Sequence, residues 1–172
     1  MNRTEALHCI KRIIKENPIT CEIGFFKGDF SKEINTILDS KIHYVIDTFN
    51  DNRHISGDKD GQNHTCQDMT LMKNYSISLG FKTVEGCSDE LINVQDTLDF
   101  IYIDADHSYE WVKKDLNNAL KKINKNGIIA GHDYEKNIFP GCFRAVNEFC
   151  QQNNYEISIL TNDGCPSFFI IT

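Results

Sequence analysis

Short apolar runs of β character alternate with amphipathic helical stretches along almost the whole chain, the rhythm of a mostly parallel sheet with covered faces. Leu7, Ile10, Ile13 and Ile14 fall at helical spacing and predict an opening helix stopped near Pro18. Residues 19–23 predict a first strand. Phe30, Ile34, Ile37 and Leu38 share one face of a second helix, and residues 41–46 predict a second strand ending at Asp47. A helix over 67–79, a strand over 81–84 and a short helix from Ser88 follow. Residues 99–103 are too uniformly apolar for an exposed edge and predict a central, buried fourth strand. A helix over 109–123, punctuated by Asn126-Gly127, leads to a fifth strand over 127–131. A last helix over 141–152 precedes strands at 155–160 and 167–171, joined by the turn-rich segment 161–166.

The expected fold class is therefore α/β, with a seven-stranded sheet that is mostly parallel, one antiparallel strand from a C-terminal hairpin, and helices on both faces. The length of 172 residues suits a single domain. Dinucleotide dehydrogenases do not normally end in such a hairpin. Residues 48–65 are polar and without periodicity, which predicts a mobile active-site loop.

The formal charge of −7, with no cluster of Lys and Arg, argues against nucleic acid as a partner. No apolar run approaches the roughly 20 residues that span a bilayer, and the N-terminal segment does not read as a signal peptide, so a cytoplasmic protein without membrane contact is expected. The seven cysteines contain no C-x-x-C pair, which argues against a zinc ribbon or a disulfide framework. Cys9, Cys21 and Cys150 fall at core-facing positions, where the thiol packs as a small hydrophobe.

Chemistry concentrates at the carboxyl ends of the predicted strands, where open α/β sheets bind ligands. Glu22-x-Gly24-x-x-x-Gly28 joins the first strand to its helix. The spacing is not the G-x-G-x-x-G that cradles a pyrophosphate, and Glu22 suits a cationic ligand better than a phosphate. Asp47 stands about 20 residues beyond that turn, where an acid accepts hydrogen bonds from ribose hydroxyls. The stretch Asp104-Ala105-Asp106-His107 leaves the fourth strand and Gly131-His132-Asp133-Tyr134 leaves the fifth. Adjacent strands would bring Asp104, Asp106, His107, His132 and Asp133 together, where pKa values are readily moved.

The segments CEIGFFKGDFS, VIDTFND, DFIYIDADHSYEWVKKDL and GIIAGHDY together resemble the small class I S-adenosylmethionine-dependent methyltransferases of the catechol and macrocin O-methyltransferase type. The resemblance spans roughly residues 19–135 and implies a Rossmann-like domain. It implies that Glu22, Gly24 and Gly28 line the methionine end of S-adenosylmethionine, that Asp47 and Thr48 meet the ribose, and that Cys87 and Ser88 lie beside the adenine. It further implies Asp104, at once near the cofactor and in the catalytic centre, and a metal set of Asp104, His132 and Asp133. There His132 stands where relatives carry a carboxylate, so Mg²⁺, a softer divalent cation, or no ion at all are the alternatives.

The expected reaction is O-methylation of a small-molecule or sugar hydroxyl, with His107 as base, His132 in reserve, and Asp104 and Asp133 orienting the acceptor. A homo-oligomer is compatible with this reading. Two other classes remain open from the residues alone: a nicotinamide-dependent oxidoreductase, and a non-catalytic cofactor-binding module.

Overall fold

The computed structural model describes residues 1–49 and 69–172. The expected loop over 48–65 falls, apart from Thr48 and Phe49, outside the described residues. In chain order the elements are α1 (Arg3–Lys11), β1 (Ile19–Ile23), α2 (Asp29–Leu38), β2 (Ile42–Asp47), α3 (Met69–Ser78), β3 (Lys82–Glu85), a 3-10 turn (Ser88–Asn93), β4 (Leu98–Ile103), α4 (Tyr109–Lys122), β5 (Ile123–Gly131), α5 (Pro140–Asn153), β6 (Ile157–Leu160) and β7 (Phe168–Ile171). Among the described residues no helix is long and apolar enough to cross a membrane.

The strands form one seven-stranded sheet in the order β3-β2-β1-β4-β5-β7-β6. The first five are parallel, and β7 runs antiparallel to both β5 and β6. The antiparallel strand is thus inserted inside the sheet rather than at its edge, and β6 forms the rim. Alternation along the central strands assigns the two faces. Cys21, Ile23, Ile101, Ile103 and Ile129 pack with Val112, Leu116, Val146 and Phe149 of α4 and α5. Phe100, Tyr102, Ala130 and Phe169 pack on the other face with Leu7 and Ile10 of α1 and Phe30, Ile34 and Leu38 of α2. The β4 strand is buried along its full length, as its composition requires.

Three local expectations need correction. The first helix ends at Lys11, not near Pro18: Arg12 caps it, Ile13 is 59% exposed, and the apolar spacing runs on into a turn. Asn126-Gly127 does not end α4, because β5 already begins at Ile123. Instead Asn126 takes φ +61 within β5, where pairing with β4 shifts register, and its N–H donates to the Thr172 carbonyl. Cys9 is only partly buried, whereas Cys142 joins Cys21 and Cys150 in the core.

The candidate active site

Parallel order places the ends of β1, β2, β4 and β5 on one edge of the sheet, and the loops leaving them are stitched together. The Gly24 N–H donates to the Ile46 carbonyl at 2.8 Å, Asp104 N–H to Ile23 at 2.8 Å, and His132 N–H to Ile103 at 3.0 Å. Gly24 has φ +93, and a Cβ there would lie 2.0 Å from the Asp104 carbonyl oxygen. Its missing side chain therefore lets the β1 and β4 loops touch, a use within the protein itself. At Gly28 (φ +73) the corresponding space is filled by the Phe25 ring.

Glu22 is 2% exposed and accepts a hydrogen bond from the Ser31 hydroxyl; burial pushes its carboxyl well above the usual range. Asp47, 3% exposed, braces its surroundings: its two oxygens accept from the Phe25 N–H at 2.7 Å and the Phe49 N–H at 2.8 Å. Thr48 beside it is exposed. Beyond β3, Ser88 is buried and its hydroxyl accepts from the Asn118 amide at 3.1 Å, while the half-buried Cys87 thiol points to the Asp89 carboxylate at 3.4 Å.

The ends of β4 and β5 carry the densest chemistry. Asp133 has φ +59, a left-handed conformation that Asp tolerates better than most residues, and its carboxylate holds both imidazoles. Its Oδ2 lies 2.8 Å from His107 Nε2 and its Oδ1 lies 3.1 Å from His132 Nδ1. Asp104 Oδ1 stands 3.9 Å from each ring. Burial works against ionisation of Asp133, yet the hydrogen bonds and charge of the two histidines outweigh it and hold its carboxyl well below the usual range. Burial likewise opposes protonation of His107, but Asp104 and Asp133 raise its pKa to about 10. His132 is raised as well: burial is outweighed by the Asp133 hydrogen bond and the charges of Asp104 and Asp133.

Four of the five residues expected to converge do so. Asp106 does not; its carboxylate accepts the Ser108 N–H at 2.8 Å and shapes the turn into α4. Ligand atoms of Asp104, His107 and Asp133 all lie within 4.8 Å of one another, a trio that could hold a cation and that differs from the expected Asp104, His132 and Asp133 in its histidine. Two carboxylates and one imidazole form a donor set of mixed hardness, better matched to Mn²⁺, Fe²⁺ or Zn²⁺ than to the all-oxygen shell Mg²⁺ favours.

Residues that the sequence did not single out come from α1, the start of α5 and the loop between β6 and β7. Cys165 lies in the loop between β6 and β7, and burial together with the Asp133 carboxylate pushes its thiol up. Phe139, the residue before α5, meets the His107 ring edge-on at 4.7 Å between centroids. Arg3 lies over the Phe30 ring at 4.3 Å. No local pattern links positions 3, 139 and 165 to residues 104–133; only the hairpin order and the packing of α1 and α5 do so.

Residues 21–134 match the family model described as a methyltransferase domain. The chain belongs to this methyltransferase family, and its sheet is the Rossmann-like fold of the class I S-adenosylmethionine-dependent enzymes. The O-methyltransferase NovP superposes with a TM-score of 0.69 at 18% identity, over 98% of this chain and 78% of its own. A methyltransferase candidate from Streptococcus mutans, solved with S-adenosylhomocysteine, gives 0.67 at 12% identity over 99% and 98%. An rRNA-methylase candidate from Clostridium thermocellum gives 0.63 at 12% identity over 97% and 95%. No curated protein matches the chain in sequence. At these identities the structural likeness shows the fold alone. Family membership removes the nicotinamide alternative; the occurrence of an rRNA methylase among the neighbours leaves the exclusion of nucleic acid resting on charge and unsupported by fold.

Proposed function

We propose that this protein, as a single domain, methylates a hydroxyl oxygen of a small molecule or sugar, using S-adenosylmethionine. The observation that carries the reading is the paired set His107–Asp133–His132 beside Asp104, at the edge of the sheet that also bears the glycine turn. The glycine turn, acid-lined by Glu22 and Asp104, suits the cationic methionine end of that cofactor. Thr48 and Asp47 fall on the ribose side, Cys87 and Ser88 on the adenine side.

S-adenosylmethionine, when bound, supplies a methyl group on a sulfonium, so departure of the leaving group needs no acid. What remains for the protein is to align the acceptor and take its proton. His107 arrives protonated, its Nε2 already donating to Asp133. That role therefore passes to His132, whose Nδ1 is pinned by Asp133 and whose Nε2 carries no hydrogen bond among the described residues. Asp133 fixes the ring and stabilises the imidazolium, as the acid does in a nucleophile–His–Asp arrangement. Asp104 orients the acceptor hydroxyl. A divalent cation held by Asp104, His107 and Asp133 would have to displace the His107 proton, and it would then supply Lewis acidity toward the acceptor oxygen.

The test is transfer of labelled methyl from S-adenosylmethionine across a panel of catechols, sugars and hydroxylated small molecules, with a structured rRNA fragment alongside. Transfer to a hydroxylated small molecule supports the reading. Methylation of the RNA alone, or no transfer to any acceptor, contradicts it.

A further inference from the structure

The methionine end of the proposed cofactor carries a carboxylate as well as a cationic amine and sulfonium. Glu22 and Asp104 suit the cations and offer the carboxylate no partner, so the site needs a positive group set apart from the acids. We propose that Arg3 is that group, a carboxylate-binding residue delivered to the site by α1. This inference rests on the S-adenosylmethionine reading.

The backbone of Arg3 is held from two directions. The capping box of Asn2 and Glu5 fixes the start of α1, and the Arg3 N–H donates to Asp163 Oδ2 at 3.0 Å, from the loop between β6 and β7. Its guanidinium lies 4.3 Å from the centroid of Phe30, two residues beyond Gly28, and the Phe30 ring packs on Tyr102 at 4.5 Å. Tyr102 is two residues before Asp104. Arg3 thus packs on the helix that follows the glycine turn, over a ring that meets β4, and its charge is felt at both Glu22 and His132.

Arg3 is nonetheless unused within the protein. Among the described residues the guanidinium of this half-buried residue has no carboxylate in ion-pair reach and makes no hydrogen bond. The nearby acids are otherwise engaged: Glu22 with Ser31, Asp29 with Lys32, Asp163 with the Arg3 backbone and Thr161. A cation stacked on a ring, backbone-anchored and lacking a counterion is pre-organised for an incoming anion, and its planar fork matches a carboxylate. Lys27, the other cation of the turn, is exposed, with its ammonium 5.1 Å from the Phe26 ring centroid.

Calorimetric titration of the wild type, Arg3→Gln, Arg3→Lys and Lys27→Gln with S-adenosylhomocysteine and with 5′-methylthioadenosine tests the assignment, because the second ligand keeps the nucleoside and thioether but lacks the amino acid. Arg3→Gln is expected to weaken S-adenosylhomocysteine about ten- to a hundredfold and leave methylthioadenosine within about twofold, with Arg3→Lys intermediate and Lys27→Gln near wild type. Equal losses on both ligands would reveal a merely structural role and overturn the assignment. So would unchanged S-adenosylhomocysteine affinity, including the case where only the KM of an anionic acceptor shifts. Failure of the wild type to bind S-adenosylhomocysteine would instead contradict the cofactor reading itself.

Discussion

His107 Nε2 lies 2.8 Å from Asp133 Oδ2, and the other oxygen of the same carboxylate lies 3.1 Å from His132 Nδ1. One buried acid therefore organises two imidazoles, and its removal should uncouple chemistry from cofactor binding. Asn tolerates the left-handed φ of +59 at this position, so Asp133→Asn should fold normally. Turnover should fall about a hundredfold or more while S-adenosylhomocysteine affinity stays within about twofold. Single-turnover rates and calorimetry on the same preparation check both halves. His132→Ala should resemble Asp133→Asn, and a His132→Ala enzyme with wild-type turnover would return the proton-accepting role to His107.

Metal dependence is separable from that comparison. If Asp104, His107 and Asp133 hold a required cation, chelator should abolish turnover, and Mn²⁺ should restore it at lower concentration than Mg²⁺. Full turnover in chelator would leave the two acids as orienters alone.

Gly24 and Gly80 both take positive φ, +93 and +80, but only Gly24 is crowded. Gly80→Ala meets nothing within 4 Å and should cost on the order of 1 kcal/mol from backbone strain alone. Gly24→Ala drives a Cβ against the Asp104 carbonyl and should cost at least about 3 kcal/mol. Urea unfolding midpoints for the two variants measure the difference, and equal costs would mean that the contact between the β1 and β4 loops yields readily.

Buried titrating groups remote from the chemistry set opposite pH trends. His43 is buried, with Nδ1 2.8 Å from the Thr20 hydroxyl and Nε2 unpartnered among the described residues, and burial lowers its pKa to about 3. Its folded pKa lies below the ordinary value, so its contribution is present above about pH 6.5 and is lost as pH falls toward 3. His43→Leu should remove on the order of 2 kcal/mol of the stability loss seen between pH 7 and 4.5. Urea unfolding at the two pH values checks this, and an unchanged pH dependence would contradict it.

Asp115 behaves in reverse. Burial raises its pKa to about 6, against a hydrogen bond from Ser88 that lowers it. The neutral acid is favoured in the fold, so its contribution is present below about pH 4 and lost as pH rises through 6. Asp115→Asn should be more stable than wild type at pH 7.5, by on the order of 2 kcal/mol, and no more stable at pH 3.5. A constant difference across that range would contradict the assignment.

Much of this arrangement was legible because it is local or follows from parallel strand order. Residues 19–23 form β1 as their composition predicts, and Asp104, His107, His132 and Asp133 meet because β4 and β5 are neighbours. Spacing could not reveal what each group does once there. Both Asp47 oxygens serve backbone amides, the Asp106 carboxylate serves a turn, and the bareness of Gly24 serves the Asp104 carbonyl. Nor could it reveal Arg3, Phe139 or Cys165, which reach the site through tertiary packing between segments far apart in the chain.

The cofactor that the sheet edge accepts decides most directly what this protein does. Calorimetric titration of the wild-type protein with S-adenosylhomocysteine, in parallel with NAD, reads this without knowledge of the acceptor. One saturable site for S-adenosylhomocysteine and no heat with NAD is the predicted result. Binding of NAD, or no binding of S-adenosylhomocysteine, would contradict the account.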